Sequence, residues 1–283
     1  MKRLIVIPVL ALAVFPLFGF GADEGNYISK TYNLDGFTAI DNRTSMDMYV
    51  RVGGSYSVEA EAYADFLEKI EFEVDDGELK ITRPGIFSGI FGGRTGPKAN
   101  NLSVTMPELH GITLTGSGDL EVQDDVRANE FPIRLTGSGD IMLKAIEAEE
   151  LELKLIGSGE VVADSVSADT ISITLTGSGD TTLEKIDTRS LKIKQTGSGD
   201  FVTAGNADTV KVTLTDSGSF YNKDLVVKEA DITITASGNG EITVADGSPV
   251  KFKSTGSGDF TFYGSPDFKR KTITGSGDLT VQE

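Results

Sequence analysis

One short motif constrains this chain more than anything else in it. A Gly-Ser-Gly-Asp tetrapeptide stands at residues 116–119, 137–140, 177–180, 197–200, 256–259 and 275–278, with a Glu variant at 157–160. Two degenerate copies, Asp216-Ser217-Gly218-Ser219 and Ala236-Ser237-Gly238-Asn239, complete the series. The central serines are 117, 138, 158, 178, 198, 217, 237, 257 and 276, so the steps are 21, 20, 20, 20, 19, 20, 20 and 19. A period this constant is the mark of a repeat architecture, in which each unit buries its apolar face only against its neighbours.

Each copy lies inside an alternating stretch. In Ile112-Thr113-Leu114-Thr115-Gly116-Ser117-Gly118-Asp119-Leu120-Glu121-Val122 the even positions are apolar or Gly and the odd ones polar. Period two is a strand with one buried face. The parity runs through the tetrapeptide, which turns both glycines inward and the Ser and the acid outward. Glycine would then let the backbone bend and approach the opposite wall. No helical period appears between copies. The expectation is an all-β fold, a single-stranded parallel β-helix (solenoid) with about 20 residues per coil. Stacked at about 4.8 Å, the coils make a rod of roughly 40 Å. An antiparallel sandwich, with turn signals every 8–12 residues or so, leaves the fixed period unexplained.

The rest of the chain is organised around this rod. Lys2 and Arg3 precede an apolar run from Leu4 to Phe20, interrupted by Pro8 and Pro16. It reads as a secretory signal peptide, residues 1–21, cleaved after Gly21 or Ala22. No transmembrane segment is then expected in the mature protein. Residues 22–110 read as irregular N-terminal β coils, continuous with a regular β-helix of nine coils at 111–283. Within the first part, Ala64 to Ile70 reads as a helical turn, and Glu71 to Ile81 as a hairpin or as consecutive coil faces. A Gly/Phe-rich insertion at 84–101 carries Ile86, Phe87, Ile90 and Phe91. It is expected to cover the open core of the first coil or, alternatively, to contact a partner or a membrane surface. The series stops at Glu283 right after a strand-like segment. An open last coil exposes strand edges, so self-association through it, or a partner there, is expected.

The order of these parts resembles a bacterial family, the putative auto-transporter adhesin, head GIN domain family. Phe37-Thr38-Ala39-Ile40, Met48-Tyr49-Val50, Val58-Glu59-Ala60 and Asp75-Asp76-Gly77-Glu78-Leu79-Lys80-Ile81 carry the first half of the likeness. The Gly-Ser-Gly-Asp coils carry the second. The resemblance implies an exported β-helical protein, in the periplasm or at the surface of a bacterium with an outer membrane. The family's name implies adhesion, and the resemblance supplies no catalytic residue.

Chemistry read from the residues agrees with a binding or scaffold role. The formal net charge of -17 argues against nucleic acid, whose binders displace counterions with basic surfaces. With no Cys and one His, thiolate chemistry and multi-His metal sites are excluded. A polysaccharide lyase or hydrolase on a β-helix is the alternative function. Such enzymes need a cleft, and steps that vary by so little offer no loops to build one. His110 has no marked catalytic partner.

The candidate binding residues form an outward ladder. Its members are Ser117 and Asp119, Ser138 and Asp140, Ser158 and Glu160, Ser178 and Asp180, Ser198 and Asp200, Ser257 and Asp259, and Ser276 and Asp278. Carboxylates about 4.8 Å apart repel by roughly 0.9 kcal/mol even in water. One offset is that each acid caps its own bend through backbone N–H groups. Weak Ca²⁺ binding along the ladder is the other. No further cofactor is expected, and the partner class is a protein or glycan at the cell envelope or surface. Outward Thr-x-Thr pairs such as Thr174 and Thr176 suggest an ice-binding face, but Arg134, Lys154, Lys192, Lys194 and Lys253 interrupt or flank it.

Overall fold

The computed structural model describes residues 26–84, 100–235 and 237–283. The expected signal peptide and residues 85–99 of the insertion lie outside these. Among the described residues, twenty strands and one short helix follow one another. The N-terminal part holds β1 (Tyr27–Tyr32), β2 (Ala39–Asn42), β3 (Asp47–Val52), β4 (Ser57–Tyr63), α1 (Ala64–Leu67), β5 (Glu71–Asp75), β6 (Glu78–Thr82) and β7 (Asn101–Met106). Then come β8 (Gly111–Gly116), β9 (Leu120–Val122), β10 (Val126–Gly137), β11 (Ile141–Gly157), β12 (Val161–Gly177), β13 (Thr181–Gly197), β14 (Phe201–Thr215) and β15 (Phe220–Ile234). The series ends with β16 (Gly240–Val244), β17 (Pro249–Ser254), β18 (Phe260–Tyr263), β19 (Asp267–Ile273) and β20 (Leu279–Gln282).

The long strands are wound, not straight. β11 and β12 pair in parallel over residues 141–143, 145–148 and 150–157 of β11, and each partner lies 20 residues further on. Residues 144, 149 and 158–160 fall between these stretches and form corners. The coils of this region therefore have three faces and three corners. The molecule is a β-solenoid of about 8 turns with about 20 residues per coil. Nine motif copies bound eight full steps, which is why turns number one fewer than copies.

Parallel pairing at a constant offset stacks like on like. Leu151, Ile171, Leu191, Val210, Ala230 and Val250 form one buried column through successive coils. Fully burying a Leu, Ile or Val contributes about 1.5–3 kcal/mol relative to exposure. Such columns, not local propensity, hold the rod together.

The short step between Ser198 and Ser217 is absorbed at one place. The offset changes between Leu183↔Thr203 and Ile186↔Gly205. Gly205 takes φ 111° there, and a Cβ on it would lie 2.1 Å from the Ile186 carbonyl oxygen. Against the following coil the register shifts between Val202 and Gly205. Buried Asn222 bridges this break. Its Oδ1 accepts the Thr203 N–H at 2.6 Å, and its Nδ2 donates to the Phe201 carbonyl at 3.2 Å. An unpaired buried N–H would cost about 1–3 kcal/mol, so the amide is a structural part.

At the N-terminal end, chain order and spatial order part. β2 and β3 lie between β6 and β7 on one side and β8 and β9 on the other, all parallel. Residues 39–52 thus form the coil directly beneath 111–122, and the intervening chain is placed outside both. β7 pairs antiparallel with β4, and β4 with β1; β5 and β6 make an antiparallel hairpin. Helix α1 buries Phe66 and Leu67 against this end. The hairpin is one of the two expected forms of residues 71–81, and the helical turn is where it was expected. The early coils, however, do not follow one another along the chain. Alternation marks strands but carries no label for the partner, so the crossing left no local signature.

Candidate functional site

The tetrapeptide corner is built by contact with the coil below. The first glycine of each intact copy has φ between 121° (Gly177) and 156° (Gly275) where it is positive, a region that strains any L side chain. A Cβ on Gly157 would lie 2.1 Å from the Gly137 carbonyl oxygen, and one on Gly159 would lie 2.0 Å from that of Gly139. The obstacle is the neighbouring coil and not the opposite wall. The Gly137 carbonyl also accepts N–H bonds from Ser158 at 2.9 Å and Gly159 at 3.3 Å. The glycines exist so that one backbone can lie flat on another.

The acids perform the same joining task from the side chain. Asp119 Oδ1 accepts the Asp140 N–H at 2.9 Å, and Asp140 Oδ1 accepts that of Glu160 at 2.8 Å. Asp180 serves Asp200 at 2.7 Å, Asp200 serves Ser219 at 3.1 Å, and Asp259 serves Asp278 at 2.8 Å. Each of these carboxylates caps the N–H of the next coil, which corrects the expectation that each caps its own bend. The reason is distance: stacking brings the next coil's N–H within reach, whereas the glycine corner turns its own away. Asn239 does the same for Asp259 at 2.8 Å without a charge.

Asp47 is a rung that the motif search missed. Its Oδ1 accepts the Asp119 N–H at 3.1 Å. Thr44-Ser45-Met46-Asp47 lies under Gly116-Ser117-Gly118-Asp119, with the Met46 carbonyl 2.3 Å from where a Gly118 Cβ would stand. The only sequence signal was a Ser-x-Asp without glycines, 72 residues from its partner.

The expected ladder is thus assembled. Ser117, Ser138, Ser158, Ser178, Ser198, Ser257 and Ser276 are all exposed and form no side-chain hydrogen bond among the described residues. Among the described residues, no group of three or more His, Asp or Glu is placed to hold a metal ion.

The three faces between corners differ in chemistry. On the first, successive coils align Met142, Val162, Thr182, Val202 and Tyr221 outward. On the second, a groove of about 990 Å³ is lined by His110, Asp125, Arg127, Glu130, Glu147 and Glu149 among others. His110 Nε2 lies 3.2 Å from Glu108, and both are well exposed. On the third face, hydroxyl, basic and acidic residues alternate with the apolar interior. Cation–carboxylate pairs join neighbouring coils at Arg127–Glu147 (3.0 Å), Arg134–Glu152 (3.2 Å), Arg189–Asp169 (3.2 Å) and Lys228–Asp208 (2.7 Å). Such exposed pairs are screened by solvent and add little to stability.

A carboxyl and a phenol with shifted titrations lie at the N-terminal end, away from the ladder. Burial, then the neighbouring Asp41 carboxylate, raises the Glu78 carboxyl above its usual range. Burial pushes the Tyr32 hydroxyl up to about 12. Neither group lines the groove around His110.

Comparison with known proteins came down on one family. The model of the putative auto-transporter adhesin, head GIN domain, matches residues 36–165 and 157–266. No curated protein matches the chain. Among solved structures, a putative lipid binding protein from Parabacteroides distasonis is similar at 19% identity and TM-score 0.66, covering 92% of this chain and 98% of that one. A putative adhesin from the same organism is similar at 16% identity and TM-score 0.63, covering 91% and 98%. A putative adhesin from Parabacteroides merdae is similar at 16% identity and TM-score 0.60, covering 92% and 98%. At these identities the likeness is one of fold.

Proposed function

The chain belongs to the putative auto-transporter adhesin, head GIN domain family, and from that premise we propose that it is an exported, non-enzymatic binding or scaffold rod of the cell envelope. One observation carries this reading: the repeated acids are spent on coil-to-coil hydrogen bonds. Their repetition serves assembly of the rod and display of its faces. Catalysis asks instead for two carboxylates in unlike environments, one of them raised to act as an acid. The ladder offers near-identical sites.

The contact surface in this reading is the outward relief of the rod, including the free serine hydroxyls of the corner. The family and the adhesins of like fold support a surface or envelope partner, a protein or a glycan. Among the described residues no helix is long and apolar enough to cross a membrane. Protease treatment of intact native cells, against a lysed control, tests the location. Digestion on intact cells supports surface display. Protection until lysis places the protein inside the envelope and removes the adhesin role. A deletion strain that adheres as well as its parent would also remove it.

A further inference from the structure

The third face changes character in the middle of the rod. β12, β13 and β14 present there every second residue of 170–176, 190–196 and 209–215. These twelve outward positions hold three lysines, nine Ser or Thr, and no acid. On a chain of net charge -17, an acid-free window of this size is unusual. The adjoining coils bring acids back, with Glu150 and Glu152 on one side and Glu229 and Asp231 on the other.

The lysines are close together. Lys192 pairs in register with Lys211, and Lys194 sits two residues along from Lys192 on the same face. Strand geometry puts these at about 5 Å and about 7 Å between backbones. All three are exposed. None has a carboxylate partner among the described residues, whereas Arg134, Arg189 and Lys228 each have one. In register, Lys192 and Lys194 are flanked by Ser172, Thr174 and Thr213. Lys211 has Asp231 in register on its far side, so it is Lys192 and Lys194, whose in-register neighbours carry no carboxylate, that with Lys211 mark a place where an anion from outside is favoured.

We propose that this window binds a linear acidic polysaccharide. The inference rests on the binding reading above and names its partner class. Carboxylate or sulfate groups of the polymer would take the lysines, and its hydroxyls would exchange hydrogen bonds with the Ser and Thr columns. The flat sheet and the extended period of a sugar chain suit each other. A membrane surface suits it less. Interfacial binders insert apolar side chains, and none stands on these positions; the apolar column Met142, Val162, Val202 and Tyr221 is on another face. Single-stranded nucleic acid suits it less too, because its binders stack bases on aromatic residues, and the window has none.

The test uses the whole protein immobilised and exposed to dextran sulfate, alginate, neutral dextran, phosphatidylglycerol vesicles and oligo-dT. The variant is Lys192→Thr with Lys194→Thr and Lys211→Thr. Thr already occupies the aligned positions 174 and 213, so the coil should be kept, and melting checks this. A charge-matched control replaces Lys69, Lys144 and Lys185 by Thr. Both acidic polymers should bind and neutral dextran should not, with binding weakened by salt. The window variant should lose about tenfold or more in affinity, and the control should not. Equal losses in both variants, no binding of either acidic polymer, or retention of vesicles or oligo-dT in preference to them would each overturn the proposal. Its failure is separable from failure of the adhesin reading. Cells carrying the window variant that still adhere would sink the window alone. A deletion strain that adheres normally, beside a purified protein that binds polymer, would sink only the adhesin role.

Discussion

The regular coils at residues 141–215 and the N-terminal end at 26–122 are made of the same parallel ladder, yet they are stabilised differently. In the regular coils each residue rests on its counterpart 20 or 19 places away, and the glycine corner and acid bond recur at nearly every step. At the N-terminal end Thr44 and Met46 stand where those coils have glycine, and antiparallel strands cover the stack. The difference teaches what the glycines are for. Gly116 and Gly118 tolerate Thr44 and Met46 beneath them because the carbonyls of that coil, not its side chains, face upward. The requirement falls on the upper member of each pair.

The strongest way to break this comparison is to put a Cβ on an upper corner. Gly157→Ala meets a carbonyl oxygen at 2.1 Å with φ at 133°. It should cost about 3 kcal/mol or more, seen in urea unfolding. Gly54→Ala has φ 90° but nothing within 4 Å. It should cost only about 1 kcal/mol. Similar losses at both sites would show that stacking does not set the requirement. A core truncation comes next. Leu153→Ala, in a fully stacked column, should lose about 2–5 kcal/mol, with the cavity deciding the value.

A subtler change sharpens the role of the short step. Asn222→Leu removes the side chain that accepts the Thr203 N–H at the shifted register, and should cost about 1–3 kcal/mol. Restored stability in Asn222→Leu would mean that the break needs no cap. The acid ladder gives a smaller effect of a special form. Asp140→Ala should cost about 1 kcal/mol, because the Glu160 N–H loses its acceptor. Asp140→Asn keeps the acceptor and sheds a repelling charge, as Asn239 does naturally, so its melting temperature should match or exceed the parent's. A loss in Asp140→Asn equal to that in Asp140→Ala would show that the charge itself matters. The smallest expected effect is that of calcium. With an oxygen of each capping acid engaged, millimolar Ca²⁺ or chelator should leave the melting temperature nearly unchanged. A clear rise with Ca²⁺ would establish the weak cation ladder as a second function of the same acids.

Much of the fold was legible before any coordinates. The alternation of Leu151, Leu153 and Leu155 with polar residues places the inner face, and the spacing of the serines sets the coil length. The outward alignment of Ser and acid follows from both. The purpose of the glycines was less legible, since parity says which way a position faces but not what stands above it. The lysine window was half visible. Lys192 and Lys194 could be seen to interrupt the Thr face, but their nearness to Lys211 and the lack of carboxylates around them depend on register.

Sequence alone therefore determined a three-dimensional period: a parallel solenoid, its coil length, and which side of each strand is buried. These are properties of successive residues, where backbone geometry converts spacing directly into direction. Tertiary structure alone decided that β2 and β3 lie between later strands, that each ladder acid serves the next coil, and that three lysines share one patch. Those facts concern residues about 20 to 72 places apart. Every coil presents nearly the same edge to its neighbours, so local preference cannot choose among them. The choice is made by how the whole stack closes, where the antiparallel strands β1, β4 and β5 occupy the N-terminal end that another parallel coil would otherwise take.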